Sequence, residues 1–173
     1  MRKYSSPLKI AATAGIVTAG LVMAGGSGVH AFDPEKVFKP NDEPRTILRY
    51  GFRALKDGKT EEAISTFRFG AVQRKHLPSQ WKLARMFQLG DQVPQDHVAA
   101  FELYSQIADR FVEITPTRND MPYVASAVVA VGHYHLAGLP EINLPANAYN
   151  AERHFYRAAA LYHDAEAQYR LAR

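Results

Sequence analysis

The chain has no cysteine among its 173 residues. Disulfide bonds, thiolate nucleophiles and cysteine-bound metals are therefore excluded. Acidic residues are missing from the first 31 residues, which carry three of the 21 Lys and Arg residues. The remainder is nearly balanced in charge, and its Lys and Arg are interspersed with Asp and Glu. We therefore expect no basic stripe of the kind that follows a phosphate backbone, and no nucleic-acid partner.

The acid-free start of the chain has the organisation of an export signal. Arg2, Lys3 and Lys9 accompany an apolar run at 10–24, and glycines at 25–28 separate this run from Val29-His30-Ala31, a small-x-Ala cleavage pattern. The run is shorter than the about 20 residues of a comfortable membrane span. We expect residues 1–31 to be a signal peptide that is cleaved between Ala31 and Phe32, and a periplasmic mature protein. An uncleaved membrane anchor is the alternative.

The rest of the chain predicts an all-α protein. Residues 32–43 combine prolines with charged residues and are expected to form a flexible lead-in. From residue 44 onward small and apolar residues recur at helical spacing, and no run alternates with period two. Glycines mark helix ends, and Thr60, Asp96 and Asn147 are candidate N-caps. The predicted helices are 44–57, 60–74, 78–89, 95–111, 121–137, 146–162 and an unfinished one from about 164.

The predicted helices repeat as pairs. A large residue followed by a small one recurs in each first helix, and an alanine followed four residues later by an aromatic residue recurs in each second helix. The first-helix pairs are Tyr50-Gly51, Leu83-Ala84, Val131-Gly132 and Leu171-Ala172, and the second-helix pairs are Ala63 with Phe67, Ala100 with Tyr104, and Ala151 with Phe155. Small residues let antiparallel helices approach closely, and the aromatic ring fills the space beside them. Because one hairpin cannot bury its apolar face alone, the pattern predicts an α-solenoid over residues 44–173.

Two features interrupt this regularity. Arg110–Asp120 is an insertion that lengthens the second unit, and residues 138–146 form a longer turn than residues 90–95. The sequence also stops within a first helix, whereas a terminal repeat needs a polar capping face. We therefore expect the array to be truncated at its C-terminus.

The residues offer no candidate for catalysis. The seven histidines include no His-Glu-x-x-His pair, and His133 and His135 lie two apart, on different sides of a helix. No Gly-x-Ser-x-Gly nucleophile motif is present, and the glycine-rich stretch at 25–28 belongs to the predicted signal. We predict no catalytic residue, no cofactor, no bound metal and no small-molecule substrate. The protein is expected not to be an enzyme.

Several segments resemble Sel-like repeats, which are relatives of the tetratricopeptide repeat. The resemblance rests on residues 96–104, 147–159 and 165–172, while the first unit, at about 50–67, is closer to the plain tetratricopeptide pattern. It implies that the first helix of each unit lines a concave groove that binds protein. By register the groove residues are Phe52, Trp81, Arg85, His133 and Tyr169. Trp and Arg dominate many interfaces, although packing between units would account for Trp81 equally well.

A more specific resemblance concerns the start of the predicted mature chain. The sequence FDPE, the segment GFRALKDGKTEEAISTFR at 51–68 and the cysteine-free Sel-like repeats are similar to alphaproteobacterial negative regulators of exopolysaccharide production. That family implies a periplasmic protein that binds the periplasmic domain of a membrane sensor histidine kinase and holds its pathway off. A scaffold for envelope or polysaccharide-export machinery is the alternative function.

Overall fold

The computed structural model describes residues 32–112 and 114–172. The predicted signal peptide and Ala31 lie outside these residues, and the predicted cleavage site stays a prediction. The described part of the chain consists of eight α-helices and one short 3-10 helix. These elements are α1 (Pro34–Val37), α2 (Pro44–Lys56), α3 (Thr60–Val72), α4 (Leu77–Leu89), α5 (His97–Arg110), α6 (Met121–Ala137), η1 (Pro140–Ile142), α7 (Ala148–Tyr162) and α8 (Ala165–Leu171).

The structure confirms the all-α class and places the predicted helices within about two residues of their expected ends. Two of the three predicted N-caps are present. The Asp96 carboxylate accepts a hydrogen bond from the Ala99 amide, and the Asn147 side chain accepts one from the Asn150 amide, both at 2.9 Å. Thr60 is not a cap: it is the first helical residue of α3, and its hydroxyl donates to the Gln92 side chain.

The helices pack as antiparallel hairpins in chain order. The pairs are α2 with α3, α4 with α5, and α6 with α7, and each hairpin contacts the next through α3 with α4 and α5 with α6. Helix α8 packs against α7, and α4 also touches α6 directly. The first helices of the second and third hairpins are therefore neighbours, as expected for a solenoid.

A glycine facing an aromatic ring closes two of the hairpins. A β-carbon on Gly51 would lie 2.5 Å from Cε1 of Phe67, and one on Gly132 would lie 2.8 Å from Cε1 of Phe155. Both phenylalanines are buried, with 0% and 5% of their surface exposed. The rings therefore occupy the space that a side chain would need, and the predicted repeat register is confirmed at these two hairpins.

The core is divided between two clusters. The larger one includes Tyr104, Ile107, Val124 and Val128 and spans α4 to α8, whereas the smaller one surrounds Phe67 in the first two hairpins. Phe87 and Leu103 pack against both clusters. Burial is therefore continuous along the array, because each hairpin covers the apolar face of its neighbour.

The predicted lead-in at residues 32–43 contains local structure, and its flexibility stays a prediction. This segment contains α1, whose first turn is capped by the Asp33 side chain. Phe38 is only 6% exposed, packs edge-on against Tyr50 with ring centroids 5.2 Å apart, and stacks on Phe69 at 5.9 Å. The Phe38 ring anchors the segment to the first hairpin, and Pro34, Glu35 and Lys36 belong to α1.

Two histidines that the sequence placed on different helices form a stacked pair. The rings of His135 on α6 and His154 on α7 lie 5.2 Å apart with an interplanar angle of 11°. Burial lowers the pKa of His135, and the pKa of His154 falls to about 4 because of burial and the nearby His135, Arg157 and Arg153. The fold therefore holds both rings in the neutral form.

Gly132 provides a test of the repeat register. Gly132→Leu should lower the free energy of unfolding by about 1–3 kcal/mol, because the new side chain must displace the buried Phe155 ring. Thermal or denaturant unfolding followed by circular dichroism would measure the change. Ala160→Leu, at an exposed position of α7, is the matched control and should change stability by no more than about 0.5 kcal/mol. Equal stability of the two variants would contradict the close approach.

The histidine pair predicts acid sensitivity. Unfolded histidines titrate near pH 6.5, and the folded pKa values are lower, so the unfolded chain binds more protons between that pH and about 4. The contribution of the neutral histidine pair to the free energy of unfolding should be complete above pH 6.5. It should decrease as the pH falls toward 4. His154→Gln should flatten this dependence in a urea titration repeated at several pH values. His163→Asn, at an exposed site, should keep the wild-type slope; the same slope in His154→Gln would refute the assignment.

Candidate protein-binding groove

The five predicted groove residues lie on the first helices of their hairpins, as the register required. Phe52 is on α2, Trp81 and Arg85 are on α4, His133 is on α6 and Tyr169 is on α8. Their surroundings differ: Phe52 and Trp81 contact a neighbouring unit, and His133 is hydrogen-bonded to Glu166. Their role in binding stays a prediction.

Trp81 links two hairpins. Its indole N–H donates to the Ser126 hydroxyl at 3.1 Å, and its ring meets Tyr123 edge-on with centroids 5.4 Å apart. Both partners are on α6, so this residue packs between the second and third units while remaining only half-buried. The structure thus supports the packing role, and the ring also contacts the guanidinium of Arg85.

Arg85 is the exposed cation of this surface. Its guanidinium carbon lies 5.4 Å from the centre of the Trp81 ring, a distance typical of a cation–π contact. Among the described residues no carboxylate lies within ion-pair distance of it. The ring contact holds the guanidinium in place while its hydrogen-bond donors stay open to a partner.

A polar pocket of about 300 Å³ adjoins Arg85 and extends across to α8. Gln88, Ser126, His133, Asp164 and Glu166 are among its lining residues. His133 Nε2 lies 2.8 Å from Glu166 Oε1, which ties α6 to α8 at the far wall. The pocket therefore has one cationic wall and one acidic wall and lies between first helices.

The two remaining predicted residues lie toward the ends of this surface. Phe52 is 46% exposed, packs edge-on against Phe67, and has the Lys82 ammonium 5.8 Å from its ring centre. Tyr169 is 52% exposed on α8. The contact with Lys82 makes Phe52 continuous with α4, so the predicted surface runs from α2 across α4 to the polar pocket.

Helix α2 carries a short row of basic residues that the nearly balanced overall charge did not suggest. Arg45, Arg49, Arg53 and Lys56 are exposed along α2, and at 3.6 residues per turn they share an arc of about 80°. Helix α2 contains no acidic residue, and none of the four forms an ion pair with another described residue. We call these four residues the α2 stripe. Net composition concealed it, although the spacing of the four positions was readable in the sequence.

The insertion Arg110–Asp120 forms a smaller second surface. Phe111, Ile114 and Pro116 line an apolar pocket of about 170 Å³ together with Leu161 and Tyr162. The Phe111 carbonyl accepts a 3.4 Å hydrogen bond from the Tyr162 hydroxyl. The insertion is thereby attached to α7 and does not extend the surface formed by the first helices.

Metal-binding and membrane-spanning features are both absent from the described residues. Within them, no group of three or more His, Asp or Glu side chains is placed to hold a metal ion. No helix in the same part of the chain is both long and apolar enough to span a bilayer. The apolar run at 10–24 lies outside the described residues.

Comparison with known proteins identifies the repeats. The Sel1 repeat model matches residues 77–110, 125–163 and 165–173, which correspond to α4 with α5, most of α6 with α7, and α8. No solved structure matches the chain significantly.

Two curated relatives bear the name "Exopolysaccharide production negative regulator". The one from Rhizobium meliloti (strain 1021) is 32% identical over 166 residues, covering 96% of this chain and 60% of the relative. The one from Rhizobium leguminosarum bv. viciae is 32% identical over 142 residues, covering 82% of this chain and 52% of the relative. The chain thus spans a little over half the length of these relatives. The hairpin geometry, the repeat matches and this similarity together support a Sel1-like repeat protein with similarity to these regulators.

Proposed function

We propose that the protein is a non-catalytic, periplasmic regulator that represses exopolysaccharide production by binding the periplasmic domain of a membrane sensor histidine kinase. The observation that carries this proposal is the similarity of nearly the whole chain to two exopolysaccharide negative regulators. The signal-like first 31 residues support export. The kinase is the partner that the family resemblance implies.

The groove supports a binding mode for such a regulator. Stacked helical hairpins present an extended surface whose shape is fixed by the core. On this surface Arg85 offers unpaired hydrogen-bond donors beside the partly exposed Trp81 ring, and arginine and tryptophan are frequent hot-spot residues. The neighbouring pocket is large enough to receive one or two partner side chains. We therefore assign the kinase contact to α4 and the pocket between α4, α6 and α8.

A periplasmic scaffold for envelope or export machinery is the second candidate function. The insertion pocket favours it specifically, because this apolar surface is separate from the groove and would give the protein a second contact. A scaffold must hold two partners at once, whereas a repressor needs only its target. Loss of a scaffold should lower exopolysaccharide export, and loss of a repressor should raise synthesis, so a deletion strain distinguishes the two functions.

Arg85→Glu is the sharpest test of the proposed function. The residue is exposed, so the variant should fold, whereas Trp81→Ala would also remove contacts to α6. Charge reversal at a groove hot spot should weaken binding of the sensor domain by about 2 kcal/mol. Isothermal titration with the purified periplasmic domain would measure the affinity, and cells that carry only the variant should overproduce exopolysaccharide at normal levels of the protein.

Arg68→Glu is the matched control, because Arg68 is exposed on α3, a second helix. It should bind and repress as the wild type does. Full repression by Arg85→Glu would remove the groove from the proposal. Unchanged or lowered exopolysaccharide in a deletion strain would overturn the repressor function itself.

A further inference from the structure

No residue of the α2 stripe forms an ion pair with another described residue. Four cations follow one face of a single helix over about 16 Å, given a rise of 1.5 Å per residue. Arg45, Arg49 and Arg53 are spaced four residues apart, and like charges at this spacing destabilise a helix. The acidic residues that flank the helix, Glu43 and Asp57, form no ion pair with the stripe. An external anion would relieve this repulsion.

The stripe adjoins the groove. Phe52 projects from the same side of α2, is 46% exposed, and lies 5.8 Å from the Lys82 ammonium of α4. Arg85 follows Lys82 by three residues on that helix and leads into the polar pocket. A partner segment that enters the pocket can therefore continue across Phe52 onto the stripe without leaving the surface.

We propose that the α2 stripe binds an acidic segment of the protein partner, with Phe52 providing an apolar contact beside it; this inference rests on the proposed function. The complementary charges would accelerate association and select against basic segments. The segment that fits is extended or helical and carries several Asp or Glu side chains over about 16 Å, the length of the stripe.

An anionic membrane is a poorer match for the same surface. A helix that lies in a bilayer interface buries its apolar face among the lipids, whereas Ile47, Gly51 and Ala54 of α2 are buried inside the protein. Phe52 is the one large hydrophobic side chain that this helix exposes. A membrane would therefore gain charge attraction but almost no hydrophobic insertion.

The test uses the purified protein and defined peptides. The probe is a fluorescent peptide of alternating Glu and Ala, about 12 residues long. In an extended conformation, at roughly 3.4 Å per residue, it is longer than the stripe. Matched peptides replace Glu by Gln or by Lys. Fluorescence anisotropy is measured at about 50 mM and about 300 mM NaCl. Of the three peptides, only the Glu peptide should bind, and its affinity should be lower at the higher salt concentration because exposed charges are screened.

Two pairs of variants locate the binding. Arg49→Glu with Arg53→Glu should weaken the affinity for the Glu peptide at least about tenfold, whereas Arg49→Lys with Arg53→Lys should retain it, because charge is preserved. Arg68→Glu with Arg118→Glu makes the same change in net charge at exposed positions outside α2 and should bind as the wild type does. Equal binding by all variants, or equal loss in the α2 reversal and this control, would overturn the proposal.

Two further measurements separate the remaining outcomes. Binding to phosphatidylcholine vesicles with about 30 mol% phosphatidylglycerol, without binding to the Glu peptide, would assign the stripe to membranes and refute the inference. If the sensor domain binds the α2 reversal variant as tightly as the wild type, the proposed function stands and this inference fails. If the peptide binds at the stripe but the wild-type protein does not bind the sensor domain, the inference about the stripe stands. The identification of the sensor kinase as the partner is then refuted.

Discussion

The array depends on the close approach of the two helices in a hairpin. In two hairpins a glycine of the first helix faces a buried phenylalanine ring of the second helix, which allows this approach. At Gly51 and Gly132 the neighbouring ring occupies the place of a β-carbon. Such contacts fix the distance within a hairpin, and the aromatic residue extends from the second helix into the core shared with neighbouring units. The positions of the first helices, and therefore of the groove, follow from this packing.

The groove combines structural and interaction roles in the same residues. Trp81 holds two hairpins together through Ser126 and Tyr123, yet it also supports the Arg85 guanidinium at the surface. Because the ring is fixed by packing, the cation on it loses less freedom when a partner binds. A surface built in this way can present fixed charges to a protein partner without any rearrangement of the helices.

Electrostatics varies along the surface formed by the first helices. The α2 stripe is basic and unpaired within the described chain, whereas the wall at α8 carries Glu166, which His133 and Arg170 contact. A partner segment lying across this surface would meet opposite charges at its two ends, which would define its direction. The stacked pair of His135 and His154 lies elsewhere, against Phe101, and does not contribute to this charge pattern.

The sequence by itself determined the helices, their caps at Asp96 and Asn147, and the repeat register at Gly51 and Gly132. These features depend on local spacing and on residue size, which are written in the chain. Tertiary structure decided the rest. The burial of Phe38 depends on a ring from another helix, the stacking of His135 on His154 depends on how α6 meets α7, and the isolation of the α2 stripe depends on which acidic residues lie near it in space. Composition averages over such neighbours, and for this reason a nearly balanced charge concealed a basic surface.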